Sequence, residues 1–214
     1  KNYEFSDLDF SMLEKYKVFL RKKNVADSTL HLRFRTIRSL YNMAIKEGVT
    51  RLENYPFNKF KVSQFKLESK PRAISVEDVE KIKNLELKEG LSLFRTRQYF
   101  LFSVYGAGIN FTDMAFLKWE NIKDGRIEYI RSKTGKQIDF KILQPVQEIL
   151  DYWKPLTFKS SEDYVFNILN KRIHITPVQK DNRIHKVIKS TNKDLKEIGK
   201  LAGIETHLTT YVAR

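Results

Sequence analysis

The sequence predicts a mainly α fold with one small β-hairpin, built as a compact helical domain followed by a larger α+β domain. Three observations carry this. Apolar residues recur at helical spacing over 6–23, over 29–47 and over a long polar stretch at 178–200. Strict alternation of apolar and polar residues is confined to 126–142, on either side of Lys133-Thr134-Gly135. Between the helical opening and the mixed remainder runs a basic, weakly periodic stretch, Lys59 to Arg72.

The elements follow in order. Residues 6–23 read as a helix capped by Ser6 or Asp7, with Phe10, Leu13, Tyr16, Lys17 and Leu20 at helical spacing. After a short loop at 24–27, Ser28 is a candidate cap for a helix over 29–47. Its inward residues are Leu30, Phe34, Ile37, Tyr41, Ala44 and Ile45, and Gly48 stands just past its end. Asn54-Tyr55-Pro56-Phe57 breaks the pattern, and the basic stretch beyond it reads as the connection between domains. The boundaries drawn are 1–65 for the first domain, 66–74 for the linker and 75–214 for the second domain.

Ser75-Val76-Glu77-Asp78 opens the second domain like a capping box, with helices expected at 75–84 and 90–105. Asn110-Phe111-Thr112-Asp113 reads as a turn into a short helix reaching Lys118, and Asp124-Gly125 as a turn. Strands are expected at 126–132 and 136–142, then helices at 145–153 and 178–200, the last with Ile184, Val187, Ile188, Leu195 and Ile198 on its inner side. Leu208 to Ala213 looks like the start of one more helix, cut at Arg214, and both ends of the chain look severed.

Composition bounds the partners. Forty Lys and Arg against 26 Asp and Glu give a formal charge of +14, and residues 1–75 carry twice as many basic as acidic residues. Such an excess favours a polyanion, because neutralising phosphates releases their condensed counterions. With 15 Phe, 10 Tyr and 2 Trp the chain has ample material for real cores and is no disordered basic tail. The absence of cysteine excludes disulfides and thiolate metal sites. No run has the apolar length of a membrane span and no signal peptide opens the chain, so no membrane partner and a cytoplasmic location are expected.

Four short motifs then fall in order behind the helical domain: Gly108-Ile109-Asn110-Phe111-Thr112-Asp113-Met114, Leu117-Lys118-Trp119-Glu120-Asn121-Ile122, Arg131-Ser132-Lys133-Thr134-Gly135-Lys136, and Tyr211-Val212-Ala213-Arg214. No one of them is specific; their order and spacing are. Together they resemble the tyrosine recombinases, or phage integrase family, over nearly the whole chain. The resemblance implies a helical core-binding domain and an α+β catalytic domain gripping opposite faces of double-stranded DNA. It also implies self-association on DNA, as a tetrameric synapse in the full-length protein. The implied chemistry is strand cleavage and rejoining through a covalent 3′-phosphotyrosine link, with no metal and no cofactor.

The resemblance assigns Lys133 to the family's hairpin lysine, which protonates the leaving 5′-oxygen, and Arg214 to the arginine that holds the phosphate oxygens. Three departures stand out. Asn110 occupies the place of the family's first arginine, an absence shared with some integrases of conjugative transposons. Arg131, two residues before Lys133 on the same strand, faces the same way by the two-residue period and is expected to supply the missing charge. Tyr211 stands where the family has a histidine, and a phenol of reference pKa roughly 10 is a poor base near neutral pH. His207, four residues earlier, shares a face with Tyr211 if one helix holds both. Thirdly, the family's nucleophilic tyrosine comes well after the Arg214 position, so this chain is expected to hold DNA and not cut it.

In the first domain and linker the candidate DNA contacts are Thr29, Arg33, Arg35, Arg38, Lys59, Lys61 and Arg72. The rival readings are a non-catalytic DNA-binding regulator or excision accessory protein of the same fold, and a basic helical RNA binder. A tyrosine some tens of residues past Arg214 in a longer product separates the first rival from the enzyme.

Overall fold

A computed structural model describes residues 4–66 and 73–213. The chain divides into two compact units, Lys1–Pro71 and Arg72–Arg214. The fold is the mainly helical one expected, with a small antiparallel sheet in the second unit.

The first unit is built on α1 (Phe10–Lys22) and α2 (Asp27–Lys46). Asp9, not Ser6 or Asp7, caps α1, its carboxylate accepting from the Met12 amide at 2.7 Å. The residues before it, Phe5–Asp7, close their own 3-10 turn. Likewise α2 starts before the expected Ser28: its cap is Ala26, and Asp27 sits in the first turn, where a carboxylate is favoured by the positive helix end. That carboxylate also pairs with Arg21 and accepts from the Lys66 amide at 3.0 Å. Arg21 and the Lys66 amide hold the Asp27 carboxyl below the usual carboxylate range.

Leu13, Leu20, Leu30, Phe34 and Tyr41 form the floor of the core. Phe57, Phe60, Val62 and Phe65 close it from above, with Phe34 stacked on Phe65 at 5.3 Å. The front of the basic stretch therefore packs as core: Phe60, Val62 and Phe65 lie at alternate or near-alternate positions between exposed Lys59, Lys61 and Lys66. Burying each such apolar side chain contributes about 1.5–3 kcal/mol, enough to override the charge around it. Gly48 takes a φ of 72° just beyond α2, the left-handed position expected for a helix-ending glycine.

The second unit opens with α3 (Val76–Asn84), capped by Ser75 through the Asp78 amide at 3.1 Å, and continues with α4 (Ser92–Tyr105) and α5 (Phe111–Phe116). Three strands follow, β1 (Ile122–Lys123), β2 (Arg126–Ile130) and β3 (Gln137–Lys141), in the order β1-β2-β3 and all antiparallel. β1 was not foreseen, because two residues are too short to show an alternation. Both hairpin strands stop short of their expected ends, at Ile130 and Gln137.

α6 (Gln144–Thr157) runs past the expected end at Trp153 and takes Pro155 into its final turn. α7 (Pro177–Leu201) matches the expected long helix and packs on α4 and α5. The core gathers Phe102, Ile109, Met114, Trp153, Phe166, Ile184, Leu195 and Ile198. Tyr99 stacks on Trp153 and donates to Asn167 Oδ1 at 3.0 Å; burial pushes its phenol up to about 12, so it is a packing residue that keeps its proton. Residues 207–209 are irregular and 210–213 form a turn rather than the start of a helix, held by burial of Leu208, Val212 and Ala213.

Candidate active site

A turn of unusual backbone delivers Asn110 to the surface. Gly106 ends α4 where a Cβ would run into the Phe102 carbonyl, and Ala107 and Gly108 follow at φ 54° and 69°. A left-handed alanine costs on the order of 1 kcal/mol. The Ser103 hydroxyl secures the turn by donating to the Ile109 carbonyl at 2.6 Å. Asn110 then caps α5, its Oδ1 accepting from the Asp113 amide at 2.9 Å while its amide nitrogen donates to the Asp113 carboxylate.

Asp113 is only 3% exposed, and its other carboxylate oxygen accepts from the Ser132 amide at 2.9 Å. One buried carboxylate thus ties the start of α5 to the tip of the β2–β3 hairpin. Within the tip, the Arg131 carbonyl accepts from the Thr134 and Gly135 amides at 3.2 and 2.9 Å. Gly135 adopts the φ of 65° that closes the turn.

These connections border an open cavity of about 470 Å³, lined by Asn110, Phe111, Thr112, Asp113, Arg131, Ser132, Lys133, Ile188, Thr210 and Tyr211. Asn110, Arg131, Lys133 and Tyr211 come from three separate stretches of sequence and meet there. Arg131 and Lys133 do so for a reason other than the one expected. β2 ends at Ile130, so the two-residue period does not extend to Lys133, and it is the turn that brings both to one wall. No carboxylate pairs with either cation among the described residues. Asn110 is held to Asp113 through both ends of its amide, which makes it a structural tie as well as a wall of the cavity.

Tyr211 is 66% exposed and reaches the cavity from the last turn. His207 is exposed and not part of the lining, and with no helix between them the shared face does not form. Arg214 and Arg72 lie outside the described residues.

In the first unit Thr29, Arg33, Arg35, Arg38, Lys59 and Lys61 are all exposed. At 100° per residue Arg33 stands roughly 140–160° around α2 from Arg35 and Arg38, so the three arginines serve two flanks. Arg33 Nη1 donates to the Tyr16 hydroxyl at 3.3 Å.

A larger basic surface escaped the sequence reading. Lys186, Lys189, Lys193, Lys196 and Lys200 are exposed along the outer face of α7. Their spacing of three and four confines them to a stripe about 20 Å long. Among these five, and within the described residues, only Lys200 makes an ion pair, with Glu197 at 3.8 Å. The lysine spacing is present in the sequence, interleaved with the apolar period that marks the helix's buried face. Among the described residues there is no cluster of three or more His, Cys, Asp or Glu that could hold a metal, and no helix long and apolar enough to cross a membrane.

The hairpin lysine and the final turn thus share one basic cavity in a mainly α fold. Residues 1–62 match the Phage integrase SAM-like domain. Over those residues the chain is similar to the phage integrase family. Among its relatives is tyrosine recombinase XerC of Salmonella typhi, 26% identical over 184 residues, with 80% of this chain and 57% of the relative covered. Among solved structures, a lambda integrase dimer bound to a COC' core site superposes with a TM-score of 0.68 at 16% identity, covering 97% of this chain and 55% of the other. A lambda integrase tetramer bound to a Holliday junction gives 0.66 at 16% identity with the same coverage. The likeness to these structures is one of fold, and the chain spans little more than half the length of the relatives it matches.

Proposed function

We propose that this chain is the DNA-holding and phosphate-activating part of a site-specific recombinase that cleaves and rejoins strands through a covalent 3′-phosphotyrosine link. The observation that carries this reading is the convergence of Arg131, Lys133 and Tyr211 on one cavity whose cations have no carboxylate partner among the described residues. In the proposed step the family's nucleophilic tyrosine, placed after the Arg214 position, gives its phenolic proton to water and attacks the scissile phosphorus with that oxygen. The bond from phosphorus to the 5′-oxygen breaks, and the Lys133 ammonium gives that oxygen its proton. Arg131 and Arg214 neutralise the non-bridging oxygens of the pentavalent transition state, Tyr211 donates a hydrogen bond to one of them, and Asn110 holds Asp113 and through it the hairpin.

Thr29, Arg33, Arg35, Arg38, Lys59, Lys61 and Arg72 supply phosphate contacts from the first unit and the residues after it, and the α7 lysines supply more from the second. The duplex is the partner, and further copies assemble on it as a tetrameric synapse. No membrane takes part, and the setting is cytoplasmic. The second reading, a non-catalytic regulator, is favoured by Asn110, whose neutral amide is already engaged with Asp113.

Two measurements test the proposal. In anisotropy titrations of a labelled DNA duplex, affinity should fall steeply with salt. The Lys186→Gln/Lys189→Gln/Lys193→Gln variant should flatten the log–log slope by about 2–3, because each phosphate no longer neutralised changes it by roughly 0.9. An unchanged slope, or equal competition by RNA, rules out the α7 surface or the DNA preference. Incubating the full-length protein with sites recovered by selection from randomised duplexes should yield a covalent adduct that survives denaturing electrophoresis. Binding without any adduct is the regulator's result.

A further inference from the structure

Tyr211 belongs to a segment that has left regular secondary structure, yet it must hold its place at the cavity. After α7 the chain turns back through Gly203, with the Ile204 amide donating to the Gly199 carbonyl at 2.8 Å. Leu208 is buried to 1% exposure and lies over Gly199, where an added Cβ would meet its Cδ1 at 3.4 Å. Past Leu208 the backbone carries Thr210 and Tyr211 outward to the cavity before Val212 and Ala213 dive back into the core. Between those two buried anchors the Thr210 amide donates to Asn192 Oδ1 at 2.8 Å.

Asn192 sits on α7 four residues after Ile188, so the two share a face, and Ile188 is part of the cavity lining. The helix that carries them is fixed to the core by Ile184, Thr191, Leu195 and Ile198. Asn192 itself is not in the cavity lining. From this geometry we infer that Asn192 is a positioning residue: its side-chain oxygen clamps the backbone immediately before Tyr211 and sets where the phenol meets the scissile phosphate. The inference rests on the function proposed above, but the clamp can be examined without it. An asparagine is suited to the task because its carbonyl accepts one backbone N–H without adding negative charge beside a site built for a phosphate. A free loop would have to order itself at each encounter, and a misplacement of about 1 Å at a reacting centre can lower a rate on the order of 100-fold.

The experiment compares Asn192→Ala with Asn192→Asp, which keeps an acceptor oxygen at the same reach. Hydrogen exchange is measured on this chain and cleavage of a selected duplex on the full-length protein. In N192A the Thr210 amide should exchange at least tenfold faster, with the amides of α4 and α7 unchanged. N192D should return that amide to wild-type protection. Cleavage by N192A should fall about 10- to 100-fold, with duplex affinity within twofold of wild type. Unaltered Thr210 exchange in N192A, or N192D exchanging as fast as N192A, overturns the clamp. A clamp confirmed by exchange but with cleavage unchanged, or with affinity falling in step with cleavage, overturns its role at the phosphate. If the wild-type full-length protein forms no adduct at all, it is the recombinase reading that fails, and exchange still decides the clamp.

Discussion

Lys133→Ala in the full-length protein is expected to slow strand cleavage by about 10²–10⁴-fold, the range typical for loss of a general acid, with duplex affinity nearly unchanged. Lys133 is exposed on a three-residue turn whose backbone is fixed from two sides. The Arg131 carbonyl closes the turn, and the buried Asp113 carboxylate holds the neighbouring Ser132 amide at 2.9 Å. The base of the lysine is therefore anchored while its four-carbon stem is free to reach a phosphate, which suits a proton donor and not a structural cation. Chemistry at the leaving group isolates this role. A duplex whose scissile 5′-oxygen is replaced by sulfur leaves as a thiolate, which needs no proton to depart. On that substrate K133A should cleave within about tenfold of wild type, since the general-acid contribution is no longer required. An equal deficit on both substrates would mean that Lys133 orients the phosphate and does not donate to the leaving group.

How much of this was legible in the sequence depends on which physical signal each element emits. α2 and α7 were found because their apolar residues recur over many turns, and a long period survives small errors. The first residue of α2 was misjudged because tertiary partners set where the helix begins: it starts at Asp27, ahead of Ser28, with the Asp27 carboxylate held by Arg21 and the Lys66 amide. The aromatic closure of the first core by Phe60 and Phe65 was masked by the lysines between them, since charge is visible in a sequence and the packing that tolerates it is not.

At the site, Lys133 was reached through the motif it sits in, and Arg131 through a periodicity that the folded hairpin does not extend to Lys133, so the two met although the reason offered for Arg131 was mistaken. Asp113 was read only as a landmark, because a buried carboxylate bridging a helix start to a distant hairpin involves contacts 19 residues apart. Asn192 was invisible for the same reason. Its partner lies 18 residues on, in a segment with no period at all.

Arg131→Ala is the second large effect expected, a loss of about 10²–10³ in cleavage, comparable to removing one charge-stabilising donor from a transition state. Where the family carries an arginine, this chain has in Asn110 a neutral amide that caps α5 and is engaged with Asp113, so it brings no positive charge to the phosphate. Arg131 lines the same cavity, and no acidic side chain neutralises it among the described residues. A guanidinium offers two parallel donors to a phosphate where an ammonium offers a point charge. Arg131→Lys should therefore recover part of the missing rate, while Arg131→Gln, keeping a donor but no charge, should stay near the alanine level. Asn110→Ala should behave differently, costing roughly 0.5–2 kcal/mol of stability through removal of the helix cap, with a smaller change in cleavage. Should R131A cleave at the wild-type rate while N110A loses most of its activity without loss of stability, the charge would have to come from elsewhere. Asn110, not Arg131, would then be the group that meets the phosphate.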